Sequence, residues 1–473
     1  MELYKVYVGG EFKSTDQRIV IKSPFNGEQI AEVTIAGKAE LEAAILKAQQ
    51  VESELAKLPA HKKYKILMGI AQGMKEQRDT LAKTLCLEAA KPMKFALSEV
   101  DRAIQTFIIA AEECKRLPSE HIQIDWTPAG EGKEGIVRYF PIGLVAGISP
   151  FNFPLNLGVH KLAPAIASGC PIILKPARST PISALLLAKI IDSTELPKGA
   201  VSILPMDRES GNQLVTDERF ALLSFTGSPE VGWKMKDQAG RKRVVLELGG
   251  NAGVIIGESA VLNLAISKCV NGAFSYSGQV CIHTQRIYVH QSIFDDFIEG
   301  FIEQTKKLKY GNPAEMSTDI SSMIDEENAI RVEKWIKEST NNGAIILLGG
   351  KRNGTYVEPT ILTNTKREMK VCSLEVFGPV VIIEPYADFH DAINELNNSD
   401  FGLQAGVFTN KIDEQNYSFN ELKVGGVILN DVPTFRVDHM PYGGVKNSGF
   451  GREGVRYAML DMLEPKILVK NYL

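Results

Sequence analysis

Apolar residues in the first quarter of the chain recur every three to four positions, which is the spacing of an amphipathic helix. One such series runs from Leu41 to Ala48 and another from Ile104 to Ala111. We therefore predict mainly helical structure between about residues 38 and 117. The segment 119–137 is rich in Gly, Glu and Pro and has little periodicity, so it is either a linker or a protruding arm.

Short apolar stretches alternate with helix-forming segments from residue 141 onward. The predicted strands cover residues 141–149, 171–174, 200–204, 221–225 and 243–248. A helix is predicted over 179–193 with Ser179 as its N-cap, and another from about Ser210. This alternation is typical of crossover units in a mainly parallel sheet, and the fold class is α/β.

Parallel sheets bind their ligands at the carboxyl ends of the strands. This rule places Asn152, Lys175 and Gly227 near one ligand-binding edge. A second alternating region, from about 253 to 445, predicts another α/β unit. The segment 465–470 has the pattern of a strand.

The composition is that of an ordinary soluble protein, with 44% hydrophobic and 23% charged residues. The formal net charge of -4 and the lack of basic runs argue against a nucleic-acid partner. The N-terminus lacks the features of a secretory signal, and no apolar run approaches the roughly 18 residues that span a bilayer. We expect a cytoplasmic protein without a membrane partner.

The six cysteines are scattered and the histidines have no metal-ligand spacing, so no metal site is expected. Cys281 ends the polar, glycine-containing stretch Gly278-Gln-Val-Cys281, where an accessible thiol could act as a nucleophile. On these four residues alone, an inert buried thiol is at least as plausible.

Two glycine-rich segments are candidate phosphate sites. Gly449-Phe-Gly-Arg-Glu-Gly454 matches the dinucleotide fingerprint, but no strand precedes it and too little chain follows for a crossover unit. We interpret it as a tight loop. Phe225-Thr-Gly-Ser228 has the better context, because it joins a strand to the start of a helix, where free N–H groups favour a phosphate.

Three polar residues at strand ends are candidates for chemistry. Glu247 follows an apolar stretch, where burial would raise its pKa toward the range of a general base. The Asn152 side-chain amide, on a proline-stiffened turn, could donate to an oxyanion. Lys175 is a cation at the ligand edge. Each also has an ordinary interpretation: a solvated Glu, an Asn that satisfies turn backbone, and a surface Lys.

In their order along the chain these motifs resemble those of the aldehyde dehydrogenase superfamily, and the resemblance covers essentially the whole sequence. The segments that carry it are Pro150-Phe-Asn-Phe-Pro154, Lys175-Pro-Ala, Phe225-Thr-Gly-Ser228, Leu246-Glu-Leu-Gly-Gly250, Gly278-Gln-Val-Cys281, Glu375-Val-Phe-Gly-Pro379 and Pro441-Tyr-Gly-Gly-Val-Lys-Asn-Ser-Gly449. The resemblance implies a Rossmann-like cofactor domain (1–118 and 138–248), an α/β catalytic domain (249–455) and a small β oligomerisation arm (119–137 and 456–473). A homodimer or homotetramer is expected.

The resemblance also implies the chemistry. Cys281 would attack the aldehyde carbon, and the Asn152 amide and the Cys281 N–H would hold the oxyanion. Loss of hydride to the nicotinamide would leave a thioester, which Glu247 would hydrolyse as general base. The presence of Glu247 favours release of a free acid over transfer of the acyl group to coenzyme A.

The residues expected at the cofactor are Ser149, Pro150, Phe151, Lys175, Arg178, Arg208, Gly211, Phe225, Gly227, Ser228, Leu248, Glu375 and Phe377. Glu375 matches the family residue that binds the nicotinamide ribose, and Lys175 the one at the adenosine ribose. Many NAD-using relatives carry Glu where this chain has Arg178, and an arginine could pair with a 2′-phosphate. We therefore expect NADP to be preferred; if Arg178 points to solvent, NAD remains adequate.

Arg102 and Arg436 match positions that line the substrate tunnel in relatives that handle acidic aldehydes. The pattern resembles the branch of lactaldehyde, succinate-semialdehyde and phosphonoacetaldehyde dehydrogenases. Two guanidinium groups could hold a distal carboxylate, sulfonate or phosphate, although either Arg could instead form a surface ion pair. Three rival functions remain: a coenzyme A-acylating dehydrogenase, a thiol hydrolase that uses Cys281, Glu247 and Lys175, and a catalytically idle binding protein.

Overall fold

A computed structural model describes residues 2–472. Met1 and Leu473, which belong to the predicted ranges 1–118 and 456–473, lie outside the described residues. The N-terminal elements are β1 (Glu2–Tyr4), β2 (Val6–Val8), β3 (Glu11–Lys13), β4 (Arg18–Lys22), β5 (Gln29–Thr34), α1 (Lys38–Ala56), α2 (Ala60–Glu76), α3 (Arg78–Ala89) and α4 (Met93–Glu113). The predicted helical region over 38–117 is confirmed.

The next segment contains two strands of the arm and then strands that alternate with helices. In chain order the elements are β6 (Ser119–Gln123), β7 (Lys133–Pro141), β8 (Val145–Ile148), α5 (Pro154–Ser168), β9 (Ile172–Lys175), α6 (Ile182–Asp192), β10 (Val201–Ile203), α7 (Arg208–Thr216), β11 (Leu222–Thr226), α8 (Pro229–Gln238) and β12 (Arg243–Glu247). The predicted alternation is confirmed.

Two details of the prediction are wrong. The strand predicted over 141–149 is divided, because a turn at Gly143 (φ +113°) separates the end of β7 from β8. Ser179 does not cap α6, which begins only at Ile182. The buried carboxylate of Glu88 in α3 caps this helix instead, since it accepts the N–H groups of Ile182 and Ser183 at 2.7 and 3.1 Å.

The second half of the described chain builds another sheet and then returns to the first. Its elements are β13 (Gly253–Ile256), α9 (Leu262–Phe274), β14 (Arg286–His290), α10 (Phe294–Thr305), α11 (Glu326–Asn341), β15 (Ile345–Leu348), β16 (Arg352–Asn353), β17 (Tyr356–Val357), β18 (Thr360–Thr363), α12 (Lys370–Ser373), β19 (Val380–Tyr386), α13 (Phe389–Asn397), β20 (Phe401–Gly402), β21 (Gln404–Phe408), α14 (Ile412–Glu421), β22 (Gly426–Leu429), β23 (Val445–Lys446), β24 (Gly449–Phe450), α15 (Val455–Asp461) and β25 (Leu463–Asn471).

Two large sheets organise these elements. The first has the order β24-β12-β11-β8-β9-β10-β2-β3 and is parallel from β12 to β10. The second has the order β15-β18-β19-β14-β13-β21-β22 and is parallel apart from its edge strand β15. Apolar clusters lie on the faces of both sheets, which accounts for the near-continuous burial of the central strands.

A third, three-stranded sheet has the order β25-β7-β6. The strand predicted at 465–470 is confirmed as part of β25, which pairs with β7 from Leu463 to Asn471. Only Leu463 of β25 is buried, and Leu468 is 54% exposed. Within residues 2–472, no helix has both the length and the apolar character needed to cross a membrane.

Candidate active site

A cavity of about 330 Å³ lies at the carboxyl ends of β11 and β12. The predicted site residues that line it are Pro150, Phe151, Asn152, Gly227, Ser228, Glu247, Leu248, Cys281, Glu375 and Phe377. It is also lined by residues that the sequence analysis did not single out: Leu157, Thr226, Gly249, Asn328 and Arg331. The fold thus gathers segments that are far apart in the chain around one space.

A left-handed turn after α9 presents Cys281. Tyr276, Ser277 and Gly278 have φ angles of +49°, +54° and +69°. A side chain at Gly278 would place its Cβ 2.1 Å from the carbonyl oxygen of Gly378, so only glycine fits this close approach. Cys281 is partly exposed, whereas the other five cysteines are buried. This difference in exposure favours Cys281 over the buried thiols as a nucleophile.

The Cys281 sulfur has one polar side-chain neighbour among the hydrogen bonds of residues 2–472. Its Sγ lies 3.0 Å from the Oη of Tyr442. Burial raises the pKa of the Cys281 thiol to about 11, even though the Tyr442 hydroxyl and the Arg436 charge act to lower it. The thiol is therefore mainly protonated at neutral pH.

Asn152 is fixed on both its side chain and its backbone. Its Nδ2 donates to the carbonyl of Gln279 at 3.1 Å, two residues before Cys281. Its carbonyl oxygen accepts from Nζ of Lys91 at 2.6 Å. Lys91 is fully buried, forms an ion pair with Glu99 and lies over the ring of Phe153 at 3.8 Å.

Glu99 extends this support to helix α5. Its carboxylate accepts the N–H groups of Leu155 and Asn156 at 3.0 and 3.1 Å. The sequence analysis missed Lys91 and Glu99, because polar residues in a helical region are normally solvated. Their positions eight residues apart, across the start of α4, gave no signal of a buried pair.

Glu247 ends β12 with its carboxyl group buried and neither oxygen hydrogen-bonded to a residue of the described chain. Burial, together with repulsion from Glu453, raises the pKa of Glu247 well above its usual value. Gly443 passes so close that a Cβ there would lie 2.9 Å from Glu247 Oε1. The Pro441-Tyr-Gly-Gly segment therefore contacts both Cys281 and Glu247.

Glu453 is a second buried carboxylate beside Glu247, and it is paired. Its carboxylate lies 3.4 Å from Lys161 Nζ and 3.0 Å from Arg436 Nη2. Burial acts to raise the pKa of Glu453, but the positive charges of Lys161 and Arg436 outweigh it and hold the pKa at about 2. Glu453 thus takes the negative charge, which favours the neutral form of Glu247.

Glu453 lies within Gly449-Phe-Gly-Arg-Glu-Gly454, the segment interpreted as a tight loop. That interpretation is only partly right: Gly449 and Phe450 form the short strand β24 against β12, residues 451–453 are irregular, and Gly454 is the N-cap residue of α15. The sequence analysis did not recognise Glu453 or Lys161, because each looks like an ordinary surface charge until the fold buries it.

At the other end of the cavity, Glu375 and Gly249 are in close contact. A Cβ at Gly249 would lie 2.0 Å from Glu375 Oε2, and Gly250 N–H donates to Glu375 Oε1 at 3.1 Å. Burial raises the pKa of Glu375 to about 7. The Phe377 ring packs edge-on against Phe151 at 5.8 Å. The Glu375 carboxylate suits the hydroxyl groups of a ribose, and the Phe377 and Phe151 rings suit a flat aromatic ring.

The start of α8 suits a diphosphate. Ser228 is the N-cap residue, but its hydroxyl makes no capping bond, so the first-turn N–H groups have no side-chain partner. Lys175 ends β9, its ammonium group makes no hydrogen bond or ion pair within residues 2–472, and its side chain contacts Gly211, where a Cβ would lie 2.6 Å from Lys175 Cε. The cavity, the N–H groups at the start of α8 and the Lys175 ammonium group together fit a nicotinamide dinucleotide.

The remaining predicted cofactor residues lie outside the cavity lining. Ser149 and Phe225 are buried next to it, and the Ser149 hydroxyl has no partner in the described chain. Arg178 and Arg208 are exposed. The Asp207 carboxylate interacts electrostatically with both Lys175 and Arg178, so this edge carries charges of both signs.

The two arginines predicted at the substrate tunnel are both ion-paired. Arg102 lies on α4, and its Nη2 is 2.7 Å from Asp438, which also accepts from His160 at 2.8 Å. Arg436 lies on the loop after β22, pairs with Glu453 and stacks on the Tyr442 ring at 3.7 Å. Its Nε is buried without a partner in the described chain.

A family model described as the aldehyde dehydrogenase family matches residues 12–468. The chain is 41% identical to a 3-sulfolactaldehyde dehydrogenase from Priestia aryabhattai, over 99% of this chain and 98% of that relative.

Two solved structures are also similar. Aldehyde dehydrogenase 21 from Physcomitrella patens, in complex with the reaction product succinate, has a TM-score of 0.98 and 44% identity over 100% of this chain and 99% of that chain. Glyceraldehyde-3-phosphate dehydrogenase from Methanocaldococcus jannaschii, complexed with NADP, has a TM-score of 0.93 and 38% identity over 97% of this chain and 100% of that chain. The chain therefore belongs to the aldehyde dehydrogenase family, and it is an NAD(P)-dependent enzyme that oxidises an aldehyde to the acid.

Proposed function

We propose that Cys281 is the nucleophile of this dehydrogenase. The observation that carries the proposal is its placement: the one partly exposed cysteine lies in the same cavity as Asn152, Glu247 and Glu375. Cys281 first loses its thiol proton to solvent; the thiolate then forms a bond to the aldehyde carbon, and the carbonyl π pair moves onto oxygen. The Asn152 amide, which donates to Gln279 O, lines the same cavity as Cys281 and would donate to that oxygen.

Glu375 would hold one ribose of the cofactor, the N–H groups at the start of α8 its diphosphate, and Lys175 the other ribose. When bound, the nicotinamide would supply the acceptor for the hydride of the substrate carbon. Phe377 and Phe151 line the cavity at that end and exclude water from it. The thioester then remains on Cys281.

Glu247 acts as the base that activates water against this thioester. A carboxyl group with a raised pKa is a stronger base once it is ionised, and no residue of the described chain competes for its oxygens. Lys161 attracts the negative charge of the ionised Glu247, whereas Glu453 repels that charge and so favours the uptake of a proton from water. Free acid is the product.

The preferred cofactor is NADP. Arg178 is exposed close to Lys175, where it could pair with a 2′-phosphate. The relative from Methanocaldococcus jannaschii was crystallised with NADP. Steady-state kcat/KM with each cofactor tests this, and a strong preference for NAD would overturn it.

The substrate is a small acidic semialdehyde or a hydroxyaldehyde, of the class that includes succinate semialdehyde, lactaldehyde and 3-sulfolactaldehyde. The buried Arg436, whose charge acts on the Cys281 sulfur, and the partly exposed Arg102 support an anionic group, as do the relatives that act on 3-sulfolactaldehyde or bind succinate. Arg102→Ala should raise KM for succinate semialdehyde far more than for butyraldehyde, which has the same chain length without the charge. Equal effects on both aldehydes would reject the anion site.

The domain division expected from the sequence is retained as a proposal: 1–118 with 138–248 binds the cofactor, and 249–455 carries the nucleophile. The segments 119–137 and 456–473 pair across subunits, because β25 has exposed Ile467, Leu468 and Val469. Light scattering after size exclusion should give a dimer or tetramer. A cytoplasmic location completes the proposal, and cell fractionation tests it.

One assay separates the rival functions. Absorbance at 340 nm, followed with a panel of aldehydes and both cofactors, should rise without coenzyme A. Stimulation by coenzyme A would favour an acylating dehydrogenase. The thiol hydrolase and the idle binding protein are disfavoured by the family membership and by the 41% identical dehydrogenase.

A further inference from the structure

Tyr442 occupies a position at the reacting sulfur that the proposed mechanism does not use. Its Oη lies 3.0 Å from Cys281 Sγ. Tyr442 is 2% exposed and packs with Ile282 and Leu403, in an apolar cluster that also contacts Cys281. It does not line the cofactor cavity. The hydroxyl therefore reaches the sulfur from within the protein.

The direction of this hydrogen bond follows from the two groups. A thiolate has no proton and can only accept, whereas a phenol can donate. Burial raises the pKa of Tyr442 well above its usual value, and the nearby sulfur acts in the same direction. The phenol therefore keeps its proton whenever the sulfur ionises. A hydrogen bond to an ionised acceptor is stronger than one between neutral groups.

The ring is held so that the hydroxyl stays at the sulfur. Tyr442 N–H donates to Glu453 O at 3.0 Å, and Glu453 N–H donates back to Tyr442 O at 2.6 Å. The Arg436 guanidinium covers one ring face at 3.7 Å and donates to the Glu453 carboxylate at 3.0 Å. Glu453 thus fixes the backbone of Tyr442 and also the cation on its ring.

We propose that Tyr442 is a catalytic hydrogen-bond donor that stabilises the Cys281 thiolate, and that Arg436 and Glu453 position it for this role. The proposal rests on Cys281 being the nucleophile. No proton leaves Tyr442: the thiolate lone pair forms the bond to the aldehyde carbon, the carbonyl π pair moves to oxygen, and the phenol O–H remains intact. After the attack the sulfur is uncharged and a weak hydrogen-bond acceptor. The hydrogen bond from Tyr442 therefore stabilises the thiolate more than it stabilises the carbon-bonded sulfur.

Tyr442→Phe is the test, because it removes only the hydroxyl and keeps the ring under Arg436. The full-length enzyme is alkylated with iodoacetamide across a range of pH, and the label is mapped by mass spectrometry. A lost hydrogen bond to a charged group should slow labelling of Cys281 at neutral pH by about ten- to a hundredfold. The midpoint of the labelling profile should then rise by about one to two pH units.

Tyr386→Phe is the matched control, since Tyr386 is also buried and donates to Ile256 O at 3.2 Å, away from the cavity. It should label like the wild type. Tyr442→Leu removes the hydroxyl together with the ring, and it must raise the midpoint of the labelling profile by the same amount. An unshifted profile in whichever Tyr442 variant folds would overturn the proposal.

Cys281→Ala separates this failure from failure of the proposed function. If Cys281→Ala is inactive while Tyr442→Phe keeps the wild-type labelling profile, only the role of Tyr442 is wrong. If Cys281→Ala still oxidises aldehydes, the nucleophile itself is wrong.

Discussion

Replacing Lys91 with methionine should damage both stability and catalysis, although Lys91 does not line the cavity. Lys91 and Glu99 form a fully buried ion pair, with 0% of either side chain exposed. Removal of one partner from such a pair typically costs about 3–5 kcal/mol, because the other charge stays buried. Glu99 keeps the N–H groups of Leu155 and Asn156, so we expect the lower end of that range.

We expect a loss of activity because Lys91 positions Asn152. Lys91 Nζ holds the Asn152 carbonyl at 2.6 Å, and methionine cannot donate to it. A displacement of the amide by about 1 Å from the oxyanion is expected to lower kcat by about a hundredfold. We therefore expect Lys91→Met to lose about 3 kcal/mol of unfolding free energy and most of its activity.

The double variant Lys91→Met/Glu99→Gln distinguishes the two effects. It removes both charges, so denaturant unfolding should show stability partly restored, while aldehyde oxidation stays low. Lys94→Met is the control at the start of α4, three residues after Lys91: its pair with Asp319 is partly solvated, and its loss should cost less than about 1 kcal/mol. Wild-type stability and activity in Lys91→Met, or a double variant less stable than the single one, would refute the reasoning.

Two further predictions concern the cofactor and pH. Arg178→Glu should lower kcat/KM for NADP relative to NAD by about tenfold or more, because a carboxylate repels a 2′-phosphate; an unchanged ratio from steady-state kinetics would exclude Arg178 from the cofactor site. Turnover should rise from about pH 6 to 9, because the raised pKa values of Cys281 and Glu247 keep both groups protonated and inactive at the acid end; a pH–rate profile that falls over this range would contradict both roles.

The alternation of strands and helices predicted the fold class because burial leaves periodic traces in the sequence. Strand ends, and with them Asn152, Lys175 and Gly227, followed from the rule that parallel strands present their carboxyl ends at one edge. Cys281 was assigned through the family resemblance. Its own tetrapeptide was compatible with an inert thiol, and only the left-handed turn at 276–278 explains its exposure.

Residues that act through tertiary contacts left no comparable trace. Lys91, Glu99, Lys161 and Glu453 are charges whose burial depends on which helices pack together. Ser179 was a plausible cap from its local sequence, but a carboxylate from another helix, Glu88, performs that role. Long-range pairing of this kind cannot be inferred from local pattern, since each partner alone resembles a surface residue.

The account centres on a thioester at Cys281 that Glu247 helps to hydrolyse, and Glu247→Gln tests it most directly. Rapid mixing of this variant with aldehyde and cofactor should give a burst of reduced cofactor of about one per active site, followed by turnover slower by about a hundredfold or more. Mass spectrometry of the quenched protein should find the acyl group on the Cys281 peptide, and Cys281→Ser should show neither burst nor adduct. Linear turnover at the wild-type rate, with no acyl group on Cys281, would contradict the account.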